Sequence, residues 1–221
     1  MSIQASIQTF NQLLAPTSCK LIAVTKTKPV EMLMQAYEAG CKRFGENEVQ
    51  EMVSKQEVLP KDIEWHLIGH LQTNKVKYIA PFVSLVHSID SFKLLQEVNK
   101  QAQKNNRIIS CLLQIYIASE ETKFGLSYEE AEALIQEPQL AAMQHIQIAG
   151  IMGMATFTDN KEQIREEFRS LKTFFDRIKA KNSPANVAFT ELSMGMSGDY
   201  QIAIEEGSTL IRVGSSIFGS R

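Results

Sequence analysis

The feature that most constrains the fold is a regular alternation, along all 221 residues, of short apolar runs with longer amphipathic stretches. Eight apolar runs are candidate strands, at 21–24, 41–44, 63–68, 83–87, 108–117, 146–152, 187–189 and 209–213. Helical patterns fill the seven gaps between them, at 30–39, 49–58, 73–80, 92–104, 128–136, 162–180 and 200–206. Continuous rather than alternating apolarity is typical of parallel strands that are covered on both faces. The sequence therefore predicts an α/β fold, a single (β/α)₈ TIM barrel with an extra N-terminal helix.

Length and composition set the broad class of protein. A barrel of this type takes about 200–250 residues, so residues 1–221 are expected to form one domain. The hydrophobic fraction of 44% and the charged fraction of 22% exclude a disordered chain. The formal net charge of −2 provides no broad electrostatic surface for nucleic acid or anionic lipid. No apolar run reaches the ~18–20 residues that span a bilayer, and the first residues lack a signal-peptide pattern, so we expect a cytoplasmic protein.

Cysteine and histidine spacings argue against a disulfide framework and against a metal site. The three cysteines, Cys19, Cys41 and Cys111, form no CxxC pair, so buried reduced thiols are expected. The four histidines have no metal-ligand spacing with one another or with carboxylates, and we predict no metal site. His66 lies inside an apolar run, where we expect a hydrogen-bonded residue of the core or of the barrel wall.

Two lysines follow the first apolar run, in the segment LIAVTKTKP. The carboxyl ends of barrel strands and the loops after them carry the chemistry, which places Lys26 at the mouth of the barrel. A lysine backed by an apolar strand can be held as a neutral amine, which attacks an aldehyde to form a Schiff base. Lys28 would add a second positive charge that favours this neutral form. The alternative, that both are solvated loop lysines, stays open from position alone.

Glycine-rich segments follow the last two apolar runs, SMGMSG at 193–198 and RVGSSIFG at 212–219. Barrels often bind phosphate with the loops after strands 7 and 8 and with the N-terminus of a short helix. Glycine lets backbone N–H groups approach the anion, and serine hydroxyls add donors. Met194 and Met196 flank a glycine, and a thioether there would suit the wall of a pocket for a flat ring. Two tight turns with ordinary serine caps are the alternative.

Several polar residues could serve either as helix caps or as ligands at the mouth. Asn47 precedes the helical pattern at 49–58 and has Gln50 three residues on, which is the spacing of a capping box. Gln72 likewise precedes a helical pattern, and for Asn47 and Gln72 both interpretations stay open. Ser88 or Asp90 is expected to cap the helix after the fourth strand.

Five segments resemble one known family, in the same order and over essentially the whole chain: AVTKTKP, RFGENEVQE, WHLIGHLQTNK, LSMGMSGDYQIAIEEGST and IRVGSSIFGSR. The family is that of the pyridoxal phosphate homeostasis proteins. The resemblance implies a barrel like the N-terminal domain of alanine racemase, with pyridoxal 5′-phosphate (PLP) as cofactor and no established turnover. The expected function is therefore that of a cofactor carrier in intracellular PLP homeostasis, with no catalytic residue assigned.

The same resemblance implies roles for individual residues. Lys26 matches the lysine that holds the cofactor as an aldimine, and Lys28 matches a neighbour that does not. Arg212 matches the arginine that meets the pyridine nitrogen. The other implied cofactor-binding positions are the phosphate cradle, Ser197, Gly214 and Ser215, and residues that line the cofactor, Asn47, Met194 and Met196.

The open alternative is an enzyme, a minimal PLP-dependent racemase or lyase that uses the same lysine. The sequence ends at Arg221, so we expect neither the second domain of barrel racemases nor the base that it supplies. A sugar-phosphate barrel enzyme would leave the two lysines and Arg212 unused. The expected partners are PLP and the apo-enzymes that need it, and a monomer is expected. Lys123 is either a second cofactor contact or, as we favour, a solvated lysine.

Overall fold

The computed structural model describes residues 2–118, 124–181 and 183–219, so Lys123 lies outside the described residues. The strands are β1 Lys20–Val24, β2 Arg43–Glu46, β3 Glu64–Leu67, β4 Leu85–Ile89, β5 Ile109–Ile115, β6 Ile146–Gly153, β7 Val187–Ser193 and β8 Leu210–Val213. The α-helices are α1 Ile3–Leu14, α2 Val30–Glu38, α3 Val49–Val58, α4 Val76–Ile79, α5 Phe92–Lys104, α6 Tyr128–Ile135, α7 Lys161–Lys179, α8 Tyr200–Glu205 and α9 Ser215–Phe218. Short 3₁₀ segments, Thr73–Lys75 and Leu140–Ala142, precede α4 and β6.

The eight strands form one closed barrel in which each strand pairs with the next in sequence. All pairs are parallel, and β1 closes the barrel against β8 with Ile22 opposite Arg212. Parallel neighbours need a crossover connection, and the helices from α2 to α8 supply these crossovers. The predicted (β/α)₈ barrel with an extra N-terminal helix, α1, is confirmed.

β2 and β7 extend beyond their apolar runs and carry hydrogen-bonded polar side chains into the barrel wall. β2 continues to Glu46, and β7 continues to Ser193. Both residues are completely buried and hydrogen-bonded, Glu46 to Thr25 and Ser193 to Arg212. A buried polar side chain is tolerated when it has a partner, but hydrophobicity alone does not predict one.

The core has two compartments that the sheet separates. The larger lies between the barrel and the helices and includes Phe44, Trp65 and Phe168. The smaller fills the barrel interior with Ile22, Leu85, Leu112, Ala149, Met152 and Leu210. Because the interior is packed with side chains, the end of the barrel is the place where a ligand can enter.

The interpretations of the cysteines and of His66 are confirmed. Cys19, Cys41 and Cys111 are buried free thiols. Burial raises the pKa of Cys19 and of Cys41 to about 11, so both thiols stay protonated at neutral pH. His66 is buried in β3 and its Nδ1 lies 2.9 Å from Nε2 of His87.

The cap predicted at Asn47 is wrong. α3 begins at Val49, and its N-cap is Glu48, which makes no side-chain cap hydrogen bond. Asn47 therefore lies outside the helix, where its side chain is not needed for capping. Gln72 does stand at the N-cap of the 3₁₀ segment, again without a side-chain cap hydrogen bond.

The helix after β4 is capped later than predicted. Ser91 is the N-cap of α5, and its hydroxyl accepts a hydrogen bond from the N–H three residues on. The cap moves because β4 runs to Ile89, beyond its apolar run. Ser88 is consequently buried inside the strand, and Asp90 pairs with His70 at 3.3 Å.

Two classes of feature are not found in the described part of the chain. None of its helices is long and apolar enough to cross a bilayer. No cluster of three or more histidine, cysteine, aspartate or glutamate side chains in these residues could hold a metal ion.

Candidate functional site

A pocket of about 650 Å³ opens at the carboxyl ends of the strands, and we call it the mouth pocket. Segments far apart in sequence converge there because the barrel is closed and parallel. The lining includes Lys26, Lys28, Asn47, Ile68, Gly69, His70, Gln114, Phe124, Met154, Phe157, Met196, Ser197, Asp199, Arg212, Gly214 and Ser215. Of the eight binding residues that the sequence predicts, seven line this pocket, and Met194 does not.

The two lysines after β1 have different roles in the fold. Both line the mouth pocket, and both are partly buried. The Lys28 ammonium donates to the carbonyl oxygens of Gly219 at 3.1 Å and Phe218 at 3.3 Å, at the end of α9. Cations are favoured at helix C-termini, so Lys28 anchors α9 to the loop after β1. These bonds tie Lys28 to the end of α9.

The loops after β7 and β8 are joined by a hydrogen bond. The N–H of Gly214 donates to the Ser197 hydroxyl at 3.3 Å, and α9 begins immediately afterwards at Ser215. The first N–H groups of a helix have no acceptor within the helix, so they can bind an anion together with nearby hydroxyls. The structure thus brings together the three residues that the resemblance implies for a phosphate cradle.

Glycine at position 195 separates the two methionines of the loop after β7. Gly195 has a φ of 94°, and a Cβ there would lie 2.5 Å from Cβ of Ala203. This left-handed turn breaks the strand's alternation of side chains. Met196 consequently faces the mouth pocket, whereas Met194 is completely buried in the core outside the barrel. Sequence spacing alone does not reveal this separation, so the expectation that Met194 lines the ligand finds no support in its position.

Asn47 reaches the pocket because Gly69 lets two loops approach closely. A Cβ at Gly69 would lie 2.4 Å from the carbonyl oxygen of Asn47. Any larger residue at this position would push the loop after β3 away from the loop after β2. The close approach places both residues in the pocket wall.

Arg212 supplies a buried cation to the mouth pocket. It projects from β8, is only 4% exposed, and donates to the Ser193 hydroxyl at 2.6 Å and to the Gly153 carbonyl at 3.0 Å. Desolvation lowers the pKa of Arg212 to about 10, which still leaves the guanidinium protonated at neutral pH. Both of these partners are neutral, and a guanidinium has five N–H donors, so Arg212 retains donors for a ligand.

A buried chain of hydrogen bonds continues from Arg212 across the barrel. Ser193 Oγ lies 3.0 Å from His87 Nδ1, and His87 Nε2 lies 2.9 Å from His66 Nδ1. The Ser193 hydroxyl accepts from Arg212, and the tautomer of each imidazole sets which atom donates in the two contacts of His87. Desolvation lowers the pKa of both histidines, that of His66 to about 3, so both rings are neutral at neutral pH. We call Arg212, Ser193, His87 and His66 the histidine chain.

An aromatic rim that the sequence did not predict lies on the side of β5 and β6. Phe124 is largely exposed and stacks on His70, with ring centroids 5.5 Å apart. Phe157 is 97% exposed and follows Thr156, whose N–H and hydroxyl both donate to the Glu167 carboxylate at 2.6 Å. The available signal was a phenylalanine in each of two loops that follow barrel strands, next to residues that form turns.

The mouth pocket therefore combines three kinds of group in one place. Lys26 supplies an amine, Arg212 supplies a buried cation, and the joined loops after β7 and β8 supply hydroxyl and N–H donors. Ile68 and Met154 add apolar surface to the wall. This set suits a flat anionic ligand with an electrophilic carbon and an acceptor atom in its ring, which are properties of the cofactor that the resemblance implies.

Comparison with known proteins gives likenesses over the whole chain. The family model described as "Alanine racemase, N-terminal domain" matches residues 1–221. A pyridoxal phosphate homeostasis protein of Aquifex aeolicus (strain VF5) is 40% identical over 203 residues, which cover 91% of this chain and 87% of the relative. The structure of PipY of Synechococcus elongatus PCC7942 without PLP matches with a TM-score of 0.90 at 35% identity, covering 99% of this chain and 100% of PipY. The structure of PipY with PLP bound matches over the same shares, with a TM-score of 0.87 and 34% identity.

Proposed function

The chain belongs to the alanine racemase N-terminal domain family and, within it, to the pyridoxal phosphate homeostasis proteins, and on this premise we propose that it binds PLP in the mouth pocket. It thereby takes part in intracellular PLP homeostasis as a carrier of the cofactor. The observation that carries the proposal is the convergence of Lys26, Arg212 and the joined loops at Ser197 and Gly214 on one pocket. The structure of PipY with PLP bound supports it.

Lys26 is the residue to which we assign covalent attachment. When bound, PLP supplies an aldehyde whose carbon is electrophilic. The Lys26 amine would bond to that carbon in its unprotonated form, and the aldehyde oxygen would leave as water with both amine protons. Lys28 does not take this role because its ammonium donates to the carbonyl oxygens of Phe218 and Gly219.

Arg212 and the joined loops orient the cofactor. Arg212 stays protonated with a pKa of about 10, so it can only donate to an acceptor atom of the ring. A ring nitrogen that accepts from arginine is not protonated, and such a ring is a weak electron sink. Ser197, Gly214 and Ser215 bind the phosphate through hydroxyl and N–H groups, and each such bond to a charged group contributes roughly 1.5–3 kcal/mol.

We assign the protein a holding role without turnover, because the candidate second bases of the pocket are already engaged. Among the described lining residues, Lys28 donates to two carbonyls and Asp199 accepts from the N–H of Met196 at 2.5 Å. His70 pairs with Asp90 at 3.3 Å. Racemisation needs an acid and a base on opposite sides of the substrate. Exchange of the α-proton of alanine and serine in heavy water should therefore not exceed the rate with free PLP, and sustained faster exchange would favour an enzyme instead.

An absorbance spectrum recorded before and after borohydride reduction tests the attachment. With PLP added, we expect a visible band that reduction removes, and cofactor mass on the peptide that contains Lys26. Lys26→Arg should abolish the band, whereas Lys28→Arg, which keeps the charge at its position, should retain it. An unchanged band in Lys26→Arg contradicts the assignment. A protein that stays colourless and unmodified contradicts the proposed function.

We also propose that the loaded protein acts as a cytoplasmic monomer and that PLP apo-enzymes receive its cofactor. The support is the open mouth of the pocket, where Phe124, Phe157 and Met196 are exposed. An apo-enzyme should recover activity from the loaded protein in the presence of a phosphatase that destroys free PLP. Recovery no better than with free PLP contradicts delivery, and sedimentation at the mass of a dimer contradicts the monomer.

A further inference from the structure

A buried ionic cluster lies behind the loop that carries Lys26. Lys55, on α3, and Glu46, at the end of β2, are both buried. The Lys55 ammonium donates to Glu46 Oε1 and to Glu51 Oε1, in both cases at 2.7 Å. We call Glu46, Glu51 and Lys55 the ionic cluster. None of its three members lines the mouth pocket, so any effect of the ionic cluster on the pocket must pass through residues that do line it.

The cluster holds the chain on the N-terminal side of Lys26. The third donor of the Lys55 ammonium goes to the carbonyl oxygen of Thr25 at 2.8 Å. The Thr25 hydroxyl donates to Glu46 Oε1 at 2.6 Å. All three donors of Lys55 are therefore used, and one of them fixes the backbone immediately before Lys26.

The cluster also holds the chain on the C-terminal side of Lys26. The N–H of Thr27 donates to Glu51 Oε1 at 2.6 Å. Thr27 has a φ of 63°, in the left-handed region that a β-branched residue rarely adopts. A strained residue keeps such a conformation only where its surroundings hold it, and Glu51 supplies an acceptor that does so.

Stability alone does not explain this cluster. Glu46 Oε2 has no hydrogen-bond partner among the described residues, and desolvation raises the pKa of Glu46. A buried ion pair is often no more stabilising than apolar residues of similar volume. Apolar residues could not supply the donor to the Thr25 carbonyl or the acceptor for the Thr27 N–H. The polar groups therefore serve the loop on which Lys26 stands.

We propose that the ionic cluster positions Lys26 for the covalent capture of PLP, by fixing the backbone on both sides of it. This inference rests on the proposed function, and it makes Glu46, Glu51 and Lys55 positioning residues rather than catalytic ones. A displacement of ~1 Å in a reacting group can slow a reaction by about a hundredfold. A loop released from the cluster should therefore capture PLP slowly even if the pocket still binds the cofactor.

Substitution of Glu51 gives the sharpest test. Its side chain is 25% exposed, and Glu51→Ala leaves Lys55 bonded to Glu46 and Thr25, so the fold should survive. Glu51→Gln keeps an acceptor for the Thr27 N–H. Glu57→Ala is the matched control, because it removes an exposed carboxylate from the same helix. The growth of the visible band after mixing with PLP measures capture, and the affinity for pyridoxamine 5′-phosphate, which lacks the aldehyde, measures the pocket alone.

We expect Glu51→Ala to capture PLP about tenfold more slowly, with affinity for pyridoxamine 5′-phosphate within about twofold of the starting protein. Glu51→Gln should recover most of the rate, and Glu57→Ala should retain all of it. Amide hydrogen exchange of the unloaded protein should be faster at Thr27 in Glu51→Ala alone. An unchanged capture rate in Glu51→Ala overturns the proposal. So does an equal fall in capture rate and in affinity for pyridoxamine 5′-phosphate, since that result indicates general damage to the pocket.

Failure of the proposed function would give a different result. If the unsubstituted protein does not capture PLP at all, the proposed function is wrong whatever Glu51 does. Amide hydrogen exchange then still tests whether the ionic cluster holds the loop that carries Lys26. Unchanged exchange at Thr27 in Glu51→Ala overturns its holding role, and faster exchange supports it.

Discussion

Two buried polar networks adjoin the mouth pocket, and they are built differently. The ionic cluster behind β1 joins two carboxylates through one ammonium, and its bonds end on the backbone at Thr25 and Thr27. The histidine chain crosses the barrel from β8 to β3 and contains one charged side chain, Arg212, followed by neutral partners. The first network reaches the pocket through the backbone, whereas the second presents its charge directly.

The difference follows from what each network has to hold. A nucleophilic lysine must lose its proton, which an ion pair opposes, so Lys26 is better placed through its neighbours than through its own amine. Arg212 only donates, so its guanidinium can be bonded directly to neutral groups without loss of function. Substitutions in the two networks should therefore destabilise the protein for different reasons. A change in the ionic cluster leaves a buried charge without its partner. A change in the histidine chain removes hydrogen bonds, and low pH also destabilises that chain.

Loss of the Lys55 ammonium should have the largest effect. Lys55→Met leaves Glu46 and Glu51 without their cation, and breaking a buried ion pair costs about 3–5 kcal/mol of the free energy of unfolding. Urea denaturation followed by tryptophan fluorescence measures the loss. Lys42→Met is the control, because Lys42 pairs with Asp62 at the surface, where the free energy of unfolding should change little. Equal losses in the two variants would show that Lys55 is not acting as a buried ion.

Removal of the central histidine should have a smaller effect. His87→Leu removes the hydrogen bonds to Ser193 and His66; Ser193 keeps its bond from Arg212, whereas the buried His66 Nδ1 loses its partner. Such a loss lowers the free energy of unfolding by about 1–3 kcal/mol. The control is His70→Leu, whose ring is half exposed and should contribute little. A loss in His87→Leu as large as that in Lys55→Met would remove the distinction between the two networks.

Acidification should destabilise the folded protein, because the two histidines of the histidine chain bind protons more readily in the unfolded state. The pKa of His66 is about 3 in the folded protein, compared with 6.5 for a histidine in the unfolded chain. The pKa of His87 is also lowered by folding. Below pH 6.5 these histidines therefore bind protons in the unfolded chain but stay neutral in the folded protein. Stability from each histidine is complete above that pH and declines by about 1.4 kcal/mol per pH unit as the pH falls toward the folded pKa. In His66→Gln, unfolding should take up one proton fewer between pH 3 and 6.5, so the free energy of unfolding should fall less steeply with decreasing pH, by about 1.4 kcal/mol per pH unit. An unchanged slope would show that His66 does not titrate in this way.

The fold was predictable from the sequence nearly element by element. Apolar runs with intervening helical periods specify a parallel barrel, and β1, β6 and β8 lie within one residue of their predicted bounds. The prediction failed where polar residues enter strands, at Glu46 and Ser193, because burial there depends on partners from distant segments. The cap assigned to Asn47 failed for the related reason that β2 runs further than its apolar run.

The candidate site was predictable where its chemistry has a local signal. A lysine after an apolar strand and two glycine-rich loops mark positions that the barrel brings into one pocket. The ionic cluster has no such signal, because the role of its three members depends on tertiary contacts with the loop after β1. One hint existed in α3, where Lys55 shares the buried face with Val49 and Met52. A lysine on an apolar helix face is rare enough to warrant a search for its partner.

The smallest effect concerns the strained residue that the ionic cluster holds. Thr27→Gly relieves a left-handed conformation that costs roughly 1–2 kcal/mol, but glycine also loses about 0.5–1 kcal/mol of extra chain entropy on folding. The substitution alone should therefore raise the free energy of unfolding by no more than about 1.5 kcal/mol. If Glu51 maintains the strain, Glu51→Ala lets Thr27 relax, and glycine then brings no relief in that background. A double-mutant cycle should show Thr27→Gly to be less favourable in Glu51→Ala by about 1–2 kcal/mol, which is the strain that glycine no longer relieves. Additive effects would mean that the loop stays left-handed without Glu51, and the hold on Lys26 would then come from the Thr25 side of the cluster.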